Sequence, residues 1–126
     1  MPDYRVIMPN SSKSNDLGIS CEINPFRADS VGVYYRRAGS VSGKHYHTGS
    51  LPTTNPERHI LVKGQAILRT KNLETGEVGS VVLVAPCLWE VEPQVYHELE
   101  AVEDIIFIEP RLAGYDPDSD KIKMRL

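Results

Sequence analysis

The chemistry available to this chain is concentrated in its four histidines and one nearby glutamate. His45 and His47 flank Tyr46. On a β-strand, side chains two residues apart leave the same face, so a strand through this H-x-H pair aims both imidazoles into one space. Glu57 and His59 repeat that spacing just ahead of the apolar run Ile60 to Val62 and are expected to share a face. His97 has Val95 and Leu99 as its same-face neighbours, which turns it toward a core. A buried imidazole needs a partner, because an unpaired polar group is costly to bury. Three or four such groups from different strands satisfy one another by sharing a metal. Imidazole plus carboxylate suits a divalent transition metal such as Zn, Fe, Mn or Ni. A metal with fewer than its full number of protein ligands has room for water or substrate. An H-x-H pair by itself is also compatible with a surface or structural role.

The elements that must position these groups are short β-prone runs separated by turn residues. They read as Tyr4 to Met8, Leu17 to Ile23, Val31 to Arg37, His59 to Val62, Gln65 to Lys71, Val78 to Ala85, Trp89 to Glu92, Tyr96 to Val102 and Ile105 to Glu109. Asn72 to Gly76 is polar and ends in glycine, as a hairpin turn does. Pro86 and Pro93 end or begin turns. No segment carries a helical stripe of useful length. Many short strands at regular spacing predict an all-β sandwich or closed barrel. The polar segment from Pro110 onward reads as an extension, packed as an arm or frayed.

Composition sets the limits. The chain has 126 residues, enough for one core and one domain. Apolar residues make up 40% and charged residues 25%, as in soluble globular proteins. The net charge of −3 gives no general attraction for nucleic acid or anionic membranes. No apolar run is long enough to span a bilayer, and no secretory leader is visible, so a cytoplasmic location is expected. Cys21 and Cys87 lie far apart in sequence and form no CxxC pair, and a reduced pair is expected. Sheet edges leave a homodimer possible.

The stretch Gly39 to Gly64, G-SVSGK-H-Y-H-TGSLPTTNP-E-RHILVK-G, resembles the first cupin motif, G(x)5HxH(x)3–4E(x)6G. It departs from the motif only in its longer gap, Thr48 to Pro56. Pro93 to His97 resembles the end of the second motif, without its glycine and with Ala101 in place of its asparagine. The resemblance implies a cupin double-stranded β-helix, a small jelly-roll barrel, with one metal held by His45, His47, Glu57 and His97. The runs SVSGKHYH, ERHILVKGQAILRTKNLETGE and WEVEPQVYHELEAVED, within Arg37 to Asp104, are also similar to the C-terminal cupin domain of capsular-polysaccharide sugar-nucleotide reductases. Those domains bind zinc and epimerise a nucleotide-linked keto sugar. Related cupin isomerases and epimerases also work without metal, using His and Tyr as acid and base.

These readings give a metal-dependent cupin enzyme that epimerises or isomerises a small polar keto compound, such as a nucleotide-linked sugar. An Fe(II)-dependent cupin dioxygenase and a non-catalytic small-molecule binding or sensing cupin are the alternatives. His59 is a candidate acid–base residue, and equally a packed core histidine. Tyr35 and Arg37 share one parity and are candidates for substrate binding, Arg suiting a phosphate or carboxylate. A solvated face is the competing reading for that pair. Trp89 reads as core. The loop Thr48 to Pro56, tied at both ends near the metal, is placed to cover the cavity or to be a plain excursion.

Overall fold

Alternation along the strands separates two faces, and along the inward face the chemistry changes midway. The inward row of one strand runs Glu57, His59, Leu61, and of another His97, Leu99, Ala101. A third runs Ile105, Phe107, Glu109, and a fourth Ala66, Leu68, Thr70. Each row is apolar at one end and polar at the other. Stacking these rows therefore builds a hydrophobic plug at one end of the molecule and a polar chamber at the other.

A computed structural model of the chain describes residues 3–23, 27–116 and 120–124. Its strands are β1 (Tyr4–Ile7), β2 (Ser11–Asn15), β3 (Gly18–Glu22), β4 (Ser30–Arg36), β5 (Val41–His47) and β6 (Glu57–Lys63). They continue as β7 (Gln65–Asn72), β8 (Val78–Val84), β9 (Cys87–Val91), β10 (Val95–Ala101), β11 (Ile105–Arg111) and β12 (Lys121–Lys123). Among the described residues there is no helix, and so none long and apolar enough to cross a membrane. Two five-stranded antiparallel sheets form, in the orders β1-β9-β6-β11-β4 and β12-β5-β10-β7-β8. This is the jelly-roll arrangement expected from the sequence. The β2–β3 hairpin forms its own two-stranded sheet and is exposed at every position.

The plug contains Leu61, Leu68, Leu83, Cys87, Ala101 and Ile105, all at most 2% exposed. Burying each leucine there contributes about 1.5–3 kcal/mol. Both cysteines are free. The β1/β8 edge of the sandwich is closed by the Tyr4 ring. A Cβ on Gly79 would lie 2.9 Å from that ring and from Thr70 Oγ1, so a larger residue there would have to push one of them aside. At the other edge, β4 and β12 flank the polar chamber.

Strand β12 is an addition that the sequence reading left as an arm or a frayed tail. It pairs with β5 in the register Lys121↔His47 and Lys123↔His45. Asp120, 3% exposed, locks it in place. Its carboxylate accepts from the Thr48 backbone N–H at 2.8 Å and from the hydroxyls of Thr48 and Thr54. Thr53 Oγ1 accepts from Leu112 N–H at 2.9 Å. The segment 48–56 is thus fastened to the C-terminal arm. Burial works against ionisation of Asp120, but the Thr48 and Thr54 hydroxyls and the Thr48 amide outweigh it, and its pKa falls to about 2. The clasp therefore contributes stability fully above the ordinary carboxylate pKa and loses it as pH falls toward 2. Asp120→Ala is expected to cost about 1–3 kcal/mol, because it removes the charged acceptor of the buried Thr54 hydroxyl and of the Thr48 hydroxyl and amide. Urea unfolding at pH 7 checks this, and the gap between wild type and variant should shrink on acidification toward pH 2.

Candidate functional site

The polar chamber is assembled from four strands. Strand β5 brings His45 and His47, β10 brings His97, β6 brings Glu57 and His59, and β11 brings Glu109. His45 and His97 are directly opposite each other across the β5–β10 ladder. A bulge sets that register: the pairing shifts between His97 and Glu98, where β5 carries Gly43 at φ 90° and Lys44 at φ 56°. The extra residue turns the H-x-H segment into the chamber. A side chain at Gly43 would be strained by that φ and would meet the His97 carbonyl oxygen at 3.0 Å. For the metal centre proposed below, Gly43→Ala is accordingly expected to weaken retention about 10–100-fold, the range for changes that disturb ligand orientation. Competition with a chelator measures this, and unchanged retention would show that the bulge does not position His45.

The tautomers follow from the partners. His45 Nδ1 lies 3.0 Å from the Gly43 carbonyl and His97 Nδ1 lies 3.1 Å from the Val95 carbonyl. A carbonyl only accepts, so both Nδ1 atoms carry the proton and both Nε2 atoms present a lone pair inward. Glu57, 4% exposed, sits at the centre. Its Oε2 lies 2.8 Å from His47 Nε2 and 3.1 Å from His97 Nε2. Yet His45 Nε2, His47 Nε2 and Glu57 Oε2 are buried without a hydrogen-bond partner, so closeness here is not matched by hydrogen-bond direction. The four ligand atoms of His45, His47, Glu57 and His97 lie within 4.8 Å of one another. Atoms held about 2.0–2.2 Å from one ion lie about 3–4 Å apart. The Nε2 lone pairs of His45 and His97 converge with His47 Nε2 on the Glu57 carboxylate, and this donor set fits a divalent transition metal.

Charge favours ligation at His45, while at His47 a metal has to displace the proton that Glu57 favours. Burial and the neighbouring His97 push the His45 pKa down to about 4, so this ring is neutral and free to ligate at pH 7. Burial works against charge on His47, but the Glu57 carboxylate outweighs it and raises its pKa. Burial likewise opposes ionisation of Glu57, and the surrounding imidazoles, His97 and His59 foremost, hold it well below the usual carboxylate range.

A second group adjoins the first. His59 Nε2 lies 3.2 Å from Glu57 Oε1 and 3.1 Å from Glu109 Oε2. Both carboxylates accept, so Nε2 is the protonated nitrogen, and Nδ1 is left buried without a partner. The ring stacks on Trp89 at 4.9 Å, which fixes its plane. Glu109 also accepts from Arg111 Nε at 2.9 Å. Burial opposes its ionisation, and His59 and Arg111 overcome this, lowering its pKa. Arg111 in turn donates to the Tyr34 hydroxyl at 2.6 Å and lies over the Tyr115 ring. Because His59 Nε2 is a donor, Glu57, His59 and Glu109 form a hydrogen-bonded chain rather than a second ligand set.

Both groups open into one cavity of about 320 Å³. Its mouth carries Tyr34 and Arg36 from β4 and Lys121 and Lys123 from β12, with Tyr115 beside them. The structure thus brings together His45, His47, Glu57, His97 and His59. It does not bring Tyr35 or Arg37 to the cavity, and that expectation is corrected. Both are exposed, Tyr35 by 72%, because the inward parity of β4 belongs to Gly32, Tyr34 and Arg36. Strand β4 is an edge strand with apolar residues on both faces, so its pattern alone did not fix the inward side. Trp89 is buried, as expected, and also forms part of the cavity wall. Glu109 went unnoticed in sequence, although the alternation Ile105, Phe107, Glu109 already placed a carboxylate on a core-facing row.

No family model matches the sequence, and no curated protein is significantly similar to it. Solved structures do share its fold. The dTDP-4-dehydrorhamnose 3,5-epimerase from Sulfolobus tokodaii superposes with a TM-score of 0.73 at 17% identity, over 91% of this chain and 73% of that one. QdtA, a sugar 3,4-ketoisomerase from Thermoanaerobacterium thermosaccharolyticum solved in complex with TDP, gives 0.73 at 18% identity, over 97% and 88%. CapF, a capsular polysaccharide assembling protein from Staphylococcus aureus, gives 0.65 at 19% identity, over 94% of this chain and 33% of that one, so the present chain spans about a third of it. The fold is the cupin jelly roll.

Proposed function

We propose that this protein is an epimerase or isomerase of a keto sugar, carried as a nucleotide-linked or similarly polar derivative, with one divalent metal held by His45, His47, Glu57 and His97. The observation that carries the proposal is the convergence, in one cavity, of three imidazoles on the Glu57 carboxylate beside His59, a separate imidazole whose Nδ1 is buried without a partner. The likeness in fold to a sugar 3,5-epimerase and a sugar 3,4-ketoisomerase supports the reaction class.

When bound, the metal supplies Lewis-acid polarisation of a substrate carbonyl. The chain's own residues handle the proton. His59 Nδ1 takes a proton from the carbon next to the carbonyl, and the electron pair of that C–H bond moves toward the carbonyl oxygen. Glu109 and Glu57 hold Nε2–H, keep the ring in the tautomer with a basic Nδ1, and stabilise the imidazolium formed. Delivery of a solvent proton to the other face of the same carbon, with His59 releasing its proton to solvent, gives an epimer. Return of the proton by His59 to the former carbonyl carbon, with the hydroxyl proton moving to the former carbonyl oxygen, gives the keto isomer. Trp89 and Phe107 wall the ring off from water on one side.

The test is solvent exchange. Protein with its metal identified by elemental analysis is incubated in D2O with nucleotide-linked 4-keto sugars. Deuterium should appear at a carbon beside the carbonyl, in step with the appearance of an epimer or isomer. Metal-loaded protein that exchanges none of them, or protein that turns them over equally well after complete metal removal, sinks the corresponding half of the proposal.

A further inference from the structure

We infer that the mouth of the cavity is an anion subsite, formed by Lys121 and Lys123 of β12 with Arg36 of β4, and that it takes the phosphate or diphosphate end of the substrate. This rests on the reading of the cavity as a substrate site and adds which end of the substrate lies where. Three observations carry it.

The first is placement. Lys121 and Lys123 are the direct cross-strand partners of His47 and His45, so both lysines leave β12 on the cavity face. Arg36 reaches the same cavity from the edge strand of the opposite sheet, its guanidinium over the rings of Tyr34 and Phe107. The cations thus stand on both lips of the sandwich, where it is open between its edge strands.

The second is the lack of ion-pair partners, the Arg36 guanidinium donating to the neutral Tyr35 carbonyl at 3.2 Å. Among the described residues, none of the three forms an ion pair. The two carboxylates lining the cavity are already engaged, Glu57 with imidazoles and Glu109 with His59 and Arg111.

The third is contrast. The chain as a whole is acidic, with 17 Asp and Glu against 14 Lys and Arg. A three-cation rim on such a chain gathers positive charge beside the imidazole cluster. That steers an anionic ligand in and orients its uncharged part toward His59. Arg suits planar contact with phosphate oxygens, and the two lysines act as point charges that a flexible diphosphate can bridge.

The probe is inorganic pyrophosphate, titrated calorimetrically into the full chain at low ionic strength, before and after chelator treatment. Wild type should bind in both states, and raising the salt concentration should weaken binding. Lys121→Gln/Lys123→Gln should weaken it about tenfold or more, as loss of charge-assisted contacts does. Arg36→Gln, on the other lip, should also weaken it, and circular dichroism checks that each variant is folded. A parallel titration with a nucleoside diphosphate separates the sources of the anion. Tighter binding than pyrophosphate indicates a nucleotide-linked substrate, and equal binding a phosphorylated sugar. No binding by wild type, binding only while metal is present, or binding indifferent to all three substitutions overturns the inference. Metal analysis of the same samples keeps the outcomes apart. Metal present without lysine-dependent binding removes only the subsite, and lysine-dependent binding without metal removes only the metal centre.

Discussion

On the proposed function, Glu57→Gln should abolish metal binding and activity while leaving the jelly roll folded. Glu57 is the one anion among the four proposed ligands, and its Oε2 is the atom on which His47 and His97 converge. An amide of the same size keeps the packing but removes the charge. A neutral oxygen is a far poorer ligand for a divalent ion, and the three histidines are left alone to compete with solvent. Retention should fall by more than the roughly 10–100-fold typical of residues that merely orient ligands. The same change removes an acceptor from His59 Nε2, so activity should not return fully even when metal is supplied in excess. Elemental analysis after dialysis and activity across a metal titration measure the two effects separately. Stability should respond too, because taking one charge out of a buried network costs about 3–5 kcal/mol when its partners stay behind. Full metal occupancy in Glu57→Gln would remove the proposed centre.

His59→Asn is the complementary experiment. It should lower kcat by about 10²–10⁴-fold, the usual contribution of a positioned acid–base group, with metal content unchanged. Asparagine has no basic nitrogen in the place of Nδ1, and its amide stops short of the Nε2 position that donates to Glu109 and Glu57. The loss should therefore fall on proton transfer and hardly on substrate affinity. Solvent deuterium exchange at the carbon beside the carbonyl should fall in parallel with turnover. Glu109→Gln should give a smaller loss in the same direction, because it frees the ring without removing its base. Undiminished exchange in His59→Asn would show that His59 is a packing residue on Trp89 and Phe107, its other available role.

The two variants divide the chamber along a line visible in its geometry. Glu57 faces both ways, Oε2 to the converging histidines and Oε1 to His59. His59 faces only its own side. A protein that loses metal with one substitution and proton transfer with the other has the two-part site drawn here.

Much of this was written in local pattern. H-x-H and E-x-H on strands can point only one way relative to their own neighbours, and the apolar companions of His97 and of Glu57–His59 said which way that was. The resemblance to the cupin motif, carried by the spacings Gly39–His45 and Glu57–Gly64, marked the same residues. The turn at Asn72 to Gly76 was legible for a similar reason: Asn72 Oδ1 accepts from the Glu74 and Thr75 amides, a bond set made within five residues. Strands β2 and β12 were not legible as strands. The first is polar throughout and exposed at every residue, and the second is three residues long. Neither has a hydrophobic face to announce it.

What the sequence determined by itself is the set of rows: which residues share a face, and where along each strand apolar gives way to polar. That follows because side-chain direction alternates strictly with position, a property of the backbone and not of the fold. What only the tertiary structure decided is which rows meet. Nothing local to Glu109 says that it ends beside His59, nothing local to Tyr34 and Arg36 says that they and not Tyr35 and Arg37 face inward, and nothing local to Lys121 and Lys123 says that they lie across from His47 and His45. Those contacts join segments tens of residues apart. They are set by the order of strands in the sheets and by the bulge at Gly43, and both depend on how the whole chain packs.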